Sequence, residues 1–426
     1  MKKIVMSILV LTMVFTLFAG GAGDDAKEGA AQAPVRTDLN LATYLTFPSF
    51  DPFGNIPLPT YLFLRNIYEP LYTGVSAQKG DGTTVREYKP ILAESYEISP
   101  DGTVYTFHIR KGVKFHNGVE LKASDVEYSY KLAMRSPATM SYTMSIADVQ
   151  ATDDYTVDII LKSPFSPFLE NVSFILVVSE AFVEENGAAV SEETCGTGPY
   201  YLSEVITDQK YVLAAFKDYY RGEAPVKTIT TKVIPDPSTL AIAFESGELD
   251  MINVPAANWQ QISSSAQYKS YKYVEPKTLL LAFNTTKPPF DNALLRKAVN
   301  YAIDRESISI IAFDGNNKPA SYIVPEGVVF GAVEPDDPYT YDPAKARQLL
   351  AEAGYPNGLE ISSIKSPGGE SAKMAQVIQQ NLADVGISCE IDILEINTLF
   401  QSYEKGNFDL GTMGFFCLKD FFNVDL

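Results

Sequence analysis

Ser99-Pro100-Asp101-Gly102-Thr103-Val104-Tyr105-Thr106-Phe107-His108-Ile109-Arg110-Lys111-Gly112-Val113-Lys114-Phe115-His116-Asn117-Gly118 is the stretch on which the fold turns. Ser99 to Gly102 carry turn chemistry, and Thr103 to Ile109 alternate as a half-buried strand does. A few residues on, Ser124 and Glu127 form a capping box ahead of Val126, Tyr130 and Met134, which predicts a helix from Asp125 to Arg135. Strand, turn and helix in such short order point to a mixed α/β chain.

The rest of the chain repeats that alternation. Asp342, Pro343 and Gly354 supply the N-cap, first-turn proline and closing glycine of a helix containing Leu349 and Leu350. Further helices are predicted at Asp291 to Ile303, with Leu294, Leu295, Ala298, Val299 and Ala302 inward, and at Glu370 to Val385, closed by Gly386. Strands read at Tyr155 to Leu161, Tyr211 to Phe216, Thr228 to Ile234, Leu279 to Phe283 and Cys389 to Leu394. No repeat occurs at solenoid or propeller spacing.

The N-terminus reads as an export signal over residues 1–23: Lys2 and Lys3, an apolar run from Ile4 to Phe18, then Ala19, Gly20, Gly21, Ala22 and Gly23, with a transmembrane anchor from Ile4 to Ala22 as the rival reading. Residues 24–38, mixing Asp, Glu, Ala, Gly and Pro, suit a flexible tether. The remainder of the 426 residues is 46% hydrophobic and 12% aromatic, enough for a large core in two to three lobes. Net charge is −19, and −21 once Lys2 and Lys3 leave with the signal, so the phosphates of nucleic acid would be repelled. Cys195, Cys389 and Cys417 allow one bridge and one free thiol, with the pairing open. No dense disulfide framework carries the fold.

Catalytic constellations are missing. There are two histidines, His108 in the alternating strand and His116 just beyond it, and no HExxH or Cys/His cluster completes a metal set, so both read as structural and no cofactor is expected. Cys195 precedes the turn Gly196-Thr197-Gly198-Pro199 without a nearby histidine, and burial suits it better than nucleophilic catalysis. GxSxG, P-loop and GxGxxG motifs are absent. Glu245, Glu248 and Asp250 have the makings of a glycosidase-like carboxylate pair, but the string Phe244 to Asp250 reads as a helix end running into a solvated loop.

Asn66-Ile67-Tyr68-Glu69-Pro70-Leu71, Pro90 to Tyr96, Tyr105 to Gly118 with Ser124-Asp125-Val126, Gly196-Thr197-Gly198-Pro199-Tyr200, Gly247-Glu248-Leu249-Asp250, Phe283-Asn284-Thr285, Arg296 to Asp304 and Ala346 to Tyr355 together resemble the bacterial family 5 extracellular solute-binding proteins, the dipeptide, oligopeptide and nickel group. The strings occur in order from about residue 40 onward. The resemblance implies a periplasmic binding protein-like α/β fold with a discontinuous lobe I (39–72 and 195–278), a smaller inserted lobe II (73–194) and a lobe III (279–426), reached by a hinge near Leu279 to Thr285. It further implies a monomer that closes its large lobes on a small ligand, a short peptide by the family pattern, and hands it to ABC permease subunits.

Two departures from the family pattern matter. Leu17-Phe18-Ala19-Gly20 is followed by Gly21 in place of a lipid-bearing cysteine, so a free periplasmic or secreted protein is expected. The chain stops at Leu426, earlier than the family pattern, so lobe III is expected to be truncated and ligand binding impaired. By the same resemblance, Asp420 takes the place of the aspartate that pairs with a peptide's α-ammonium, with Gly414, Phe415 and Phe416 beside it, although Lys419 and Phe421 flank it unlike the family's usual run. Phe50, in Phe47-Pro48-Ser49-Phe50-Asp51-Pro52, is a candidate for the opposite wall, with core packing the rival reading, and Trp259 is a candidate cleft lid. A nickel chelate or an oligosaccharide is the alternative ligand on this scaffold, and a secreted hydrolase using Glu245 and Asp250 the alternative from another class.

Overall fold

The computed structural model describes residues 3–4, 36–78, 84–187, 192–272, 277–320, 323 and 339–416. They form two compact units, the first holding the described residues up to 272 and the second those from 277 on.

In the first unit the alternating stretch becomes the strand Val104–Ile109, with Tyr105, Phe107 and Ile109 buried. It lies antiparallel between Ala93–Ile98 and Thr156–Leu161, and Ile146–Asp153 completes a four-stranded sheet. The helix Ala123–Arg135 buries Val126, Ser129, Tyr130 and Ala133. Its start corrects the sequence reading. The cap residue is Lys122, and the carboxylate reaching back to the Lys122 N–H is that of Asp125 (2.9 Å), not Glu127. Glu127 instead accepts the Ala151 N–H of the sheet below (2.8 Å). Entry into the helix two residues early moves the reciprocal position to Asp125, because the geometry demands an acceptor at the third helical residue.

A second four-stranded sheet runs in the order Asp38–Thr43, Thr228–Val233, Lys210–Ala215, Tyr200–Ile206, its first pair parallel and the others antiparallel. The hairpin Tyr72–Gln78 and Thr84–Pro90 is a separate ribbon. Residues 73–194 thus carry their own sheet, yet one continuous buried core, from Phe47 through Phe107 and Tyr130 to Leu213 and Ile229, joins them to the rest of the unit.

The second unit has a mixed sheet in the order Lys277–Phe283, Leu410–Phe416, Leu359–Ser366, Ile387–Ile393. Leu359–Ser366 and Ile387–Ile393 are parallel, and the helix Glu370–Asp384 connects them as parallel neighbours require. Ala293–Ala302 buries Leu295, Ala298, Val299 and Ala302, whereas Leu294, expected inward, is 36% exposed. Asn292 caps this helix, which sets the stripe 295/298/299/302 toward the core and leaves Leu294 at its edge. At Pro343–Glu352 the reading holds: the Asp342 carboxylate accepts the Ala344 (3.1 Å) and Lys345 (2.9 Å) N–H groups. Asp342→Ala should therefore lower unfolding stability by about 1 kcal/mol, read from a urea midpoint shift, with Asp342→Asn losing much less. No described helix is long and apolar enough to cross a membrane.

Candidate functional site

The candidate ligand strand is Leu410–Phe416, which pairs antiparallel with Lys277–Phe283 from Leu410 opposite Phe283 to Phe416 opposite Lys277. Two of its glycines have a neighbouring side chain lying over them. A Cβ at Gly411 would stand 2.4 Å from the Tyr403 hydroxyl oxygen, and one at Gly414 would stand 2.7 Å from Lys277 Cε. Tyr403 donates to the Thr412 carbonyl (2.8 Å), and the Thr412 and Ser366 hydroxyls are 2.8 Å apart. Gly414 is exposed, and the backbones of Phe415 and Phe416 pair with Thr278 and Lys277. Asp420 and Cys417 lie outside the described residues.

In the first unit, Phe50 is 4% exposed and belongs to an aromatic cluster with Phe63 and Tyr211, while Phe47 stacks on Tyr211 at 4.4 Å and gives its N–H to the Tyr211 hydroxyl (2.8 Å). Core packing, the rival reading, is therefore where Phe50 sits: its apolar ring gains more from this cluster than from water. Trp259 is half-buried and opens the short helix Trp259–Ser264. The three carboxylates are separately engaged. Glu245 takes a hydrogen bond from Gln261 (2.8 Å), Glu248 pairs with Lys232 (2.5 Å), and Asp250 is held by Arg36 and by the Asn40 N–H (2.8 Å). Glu245 and Glu248 are exposed, as the solvated-loop reading expects.

A polar centre that the sequence did not announce lies around the turn Gly196-Thr197-Gly198. Glu69, 6% exposed, accepts from the hydroxyls of Tyr219 (2.8 Å), Thr197 (3.1 Å) and Tyr220 (3.3 Å). Burial pushes its carboxyl up to about 6 against those donors and the charge of Arg221. On the other side, His116 Nδ1 accepts the Gly196 N–H (3.2 Å) and Nε2 donates to the Gly198 carbonyl (3.0 Å). Burial pushes this imidazole down to about 4, the Gly198 carbonyl only partly opposing it. Protonation would turn Nδ1 into a donor facing a donor, which explains why the neutral ring is kept.

The two groups tilt stability in opposite directions. Glu69 has a folded value above its ordinary 4.5, so its contribution is present below pH 4.5 and lost as pH rises through 6. His116 has a folded value below its ordinary 6.5, so its contribution is present above pH 6.5 and lost as pH falls through 4. Relative to the unaltered chain, Glu69→Gln should steepen the rise of stability with pH between 4.5 and 6 by about 2 kcal/mol, and His116→Asn should remove a rise of about 3 kcal/mol between pH 4 and 6.5. Urea unfolding at half-unit pH steps reads both. Parallel pH curves for all three proteins would contradict the assignment.

Among the described residues no group of three or more His, Cys, Asp and Glu is placed to hold a metal. Cys195 and Cys389 are free thiols, Cys195 buried. The family model of the bacterial extracellular solute-binding proteins, family 5 middle, matches residues 87–417. The chain belongs to that family. Family 5 binding proteins take small ligands and deliver them to ABC permeases, and this chain shares their mixed α/β binding-protein fold. The glutathione-binding protein GsiB of Escherichia coli (strain K12) is 30% identical over 400 residues, covering 91% of this chain and 75% of the relative. Among solved structures, the periplasmic binding protein DppA from Helicobacter pylori in complex with the peptide STSA is 28% identical with a TM-score of 0.78, covering 89% of this chain and 78% of the other. NikA from Brucella suis in complex with Fe(III)-EDTA is 27% identical with a TM-score of 0.73, covering 89% and 79%. Within the family frame, Glu69 and His116 stand inside quoted family strings, yet their partners, Tyr219 and Gly198, are remote in sequence. An isolated acid between Tyr68 and Pro70 was the one signal available for a buried carboxylate.

Proposed function

We propose that this family 5 protein captures short peptides outside the cytoplasm and delivers them to an ABC permease, without catalysing a reaction. The observation that carries this reading is the company the chain keeps at 28–30% identity: GsiB is named for binding glutathione, and DppA is solved with the peptide STSA. In this reading Asp420 receives the α-ammonium, with Gly414, Phe415 and Phe416 beside it and Trp259 a further candidate contact. Export by the signal over residues 1–23, release without a lipid at Gly21, and a monomeric state belong to the same proposal.

A chelate ligand is the second reading, favoured by the similarity to NikA with Fe(III)-EDTA. Direct coordination by His116 is disfavoured, since both of its ring nitrogens are engaged. Isothermal titration of the full chain with glutathione, di- to pentapeptides and Fe(III)-EDTA tests the choice. Peptide heat that falls at least about tenfold in Asp420→Ala is the expected result. Heat with the chelate alone would overturn it.

A further inference from the structure

Within the first unit, the helix Ala123–Arg135, the helix Glu180–Asn186 and the loop at residues 51–53 line a half-open pocket of about 390 Å³. Its walls are apolar, from Phe53, Leu132, Val178, Phe182 and Val183, and Tyr68 and the buried Cys195 complete them. The polar groups at this cavity divide into engaged and unengaged. Ser136 donates to the Phe53 carbonyl (2.6 Å) and accepts the Ala138 N–H (3.2 Å), so its hydroxyl is taken. Asp51 accepts the Phe53 N–H through Oδ1 (2.9 Å), and its Oδ2 has no hydrogen bond among the described residues. Arg135, exposed at the end of its helix, makes no hydrogen bond or ion pair among the described residues.

One unpaired cation, one unpaired carboxylate oxygen and an apolar lining specify a small zwitterion with an apolar body. We propose that this cavity binds a free apolar α-amino acid, with its carboxylate on the Arg135 guanidinium, its ammonium on Asp51 Oδ2 and its side chain against Phe53, Leu132, Val178 and Phe182. Each ligand charge meets an opposite one in a charge-assisted hydrogen bond. The volume lies near the lower end for small-molecule sites, which suits one amino acid better than a peptide. The site belongs wholly to the first unit and shares no residue with the strand Leu410–Phe416, so it stands independently of the peptide reading. Cys195 lines it as a thiol rather than a thiolate, because burial raises its pKa, and it serves as a reporter of occupancy.

Isothermal titration of the full chain with free leucine and phenylalanine, against acetyl-leucine and leucinamide as analogues lacking one charge each, is the test. Binding of a free amino acid, weakened at least about tenfold by either capped analogue and by Arg135→Gln or Asp51→Asn, is the expected result. Arg135→Gln removes an exposed charge and Asp51→Asn keeps the acceptor for Phe53, so neither threatens folding, which circular dichroism verifies. Val183→Trp, which fills the cavity, should abolish amino-acid binding while leaving any peptide binding in place. Methyl methanethiosulfonate labelling of Cys195, followed at the level of the tryptic peptide, should slow when the amino acid is present. Absence of heat with every apolar amino acid, affinity unchanged in Arg135→Gln, or Cys195 labelling indifferent to the ligand would each overturn the assignment.

Discussion

Replacing Arg86 by methionine should lower the unfolding free energy by about 3–5 kcal/mol. Arg86 and Glu170 have side chains only 3% and 1% exposed, and the guanidinium grips the carboxylate through Nη2 (2.7 Å) and Nε (2.9 Å). Tyr88 adds its hydroxyl to the same carboxylate at 3.2 Å. The hairpin has adapted to this ion pair, since a Cβ at Gly74 would stand 2.5 Å from Arg86 Nη2. Methionine matches the stem but leaves Glu170 buried without its charge partner, and the cost is the desolvation of that orphaned carboxylate rather than the worth of the pair. The double variant Arg86→Met with Glu170→Leu should recover most of the loss. Urea unfolding of the two variants decides between these terms. A single variant within about 1 kcal/mol of the unaltered chain would show that the pair carries no such weight.

The second large effect is expected at Gly196. A Cβ there would stand 2.0 Å from the Ile67 carbonyl oxygen and 2.7 Å from its carbon, and neither atom can yield, since the same carbonyl accepts the Gly198 N–H (2.8 Å). Gly196→Ala must therefore push apart the crossing between residues 66–67 and the turn that Glu69 and His116 hold from its two sides. A loss of more than about 4 kcal/mol, or failure to accumulate as soluble protein, is the expected outcome. Gly112→Ala provides the contrast: that glycine has φ +74° but nothing within 4 Å of an added Cβ, so only backbone strain of about 1–2 kcal/mol applies. Equal unfolding midpoints for the two alanine variants would refute the steric account.

Much of the secondary structure was legible because its causes are local. Val104 to Ile109 alternates, and the sheet that received it buries Tyr105, Phe107 and Ile109. Asp342 and Pro343 start a helix because an acceptor and a preset backbone angle act within one turn of themselves. Where two local signals competed, as at Ser124 and Lys122, the outcome went to the acid that also reaches the Glu180 N–H (3.0 Å), a partner 55 positions away. Candidate site residues were less legible. Phe50 reads equally as cleft wall or core until Phe63 and Tyr211 are seen around it.

The sequence by itself determined the α/β character, most element positions and, through its ordered strings, membership of the solute-binding family, because periodicity and motif order survive without knowledge of what packs on what. Only the tertiary structure decided which polar residues are captive. Glu69 meets Tyr219, Arg86 meets Glu170, and His116 meets Gly198 across separations of 150, 84 and 82 positions. Arg135 and Asp51 are left at a cavity with valences to spare. Such pairings depend on chain segments brought together by core burial, and no local propensity encodes which distant partner a charge will find.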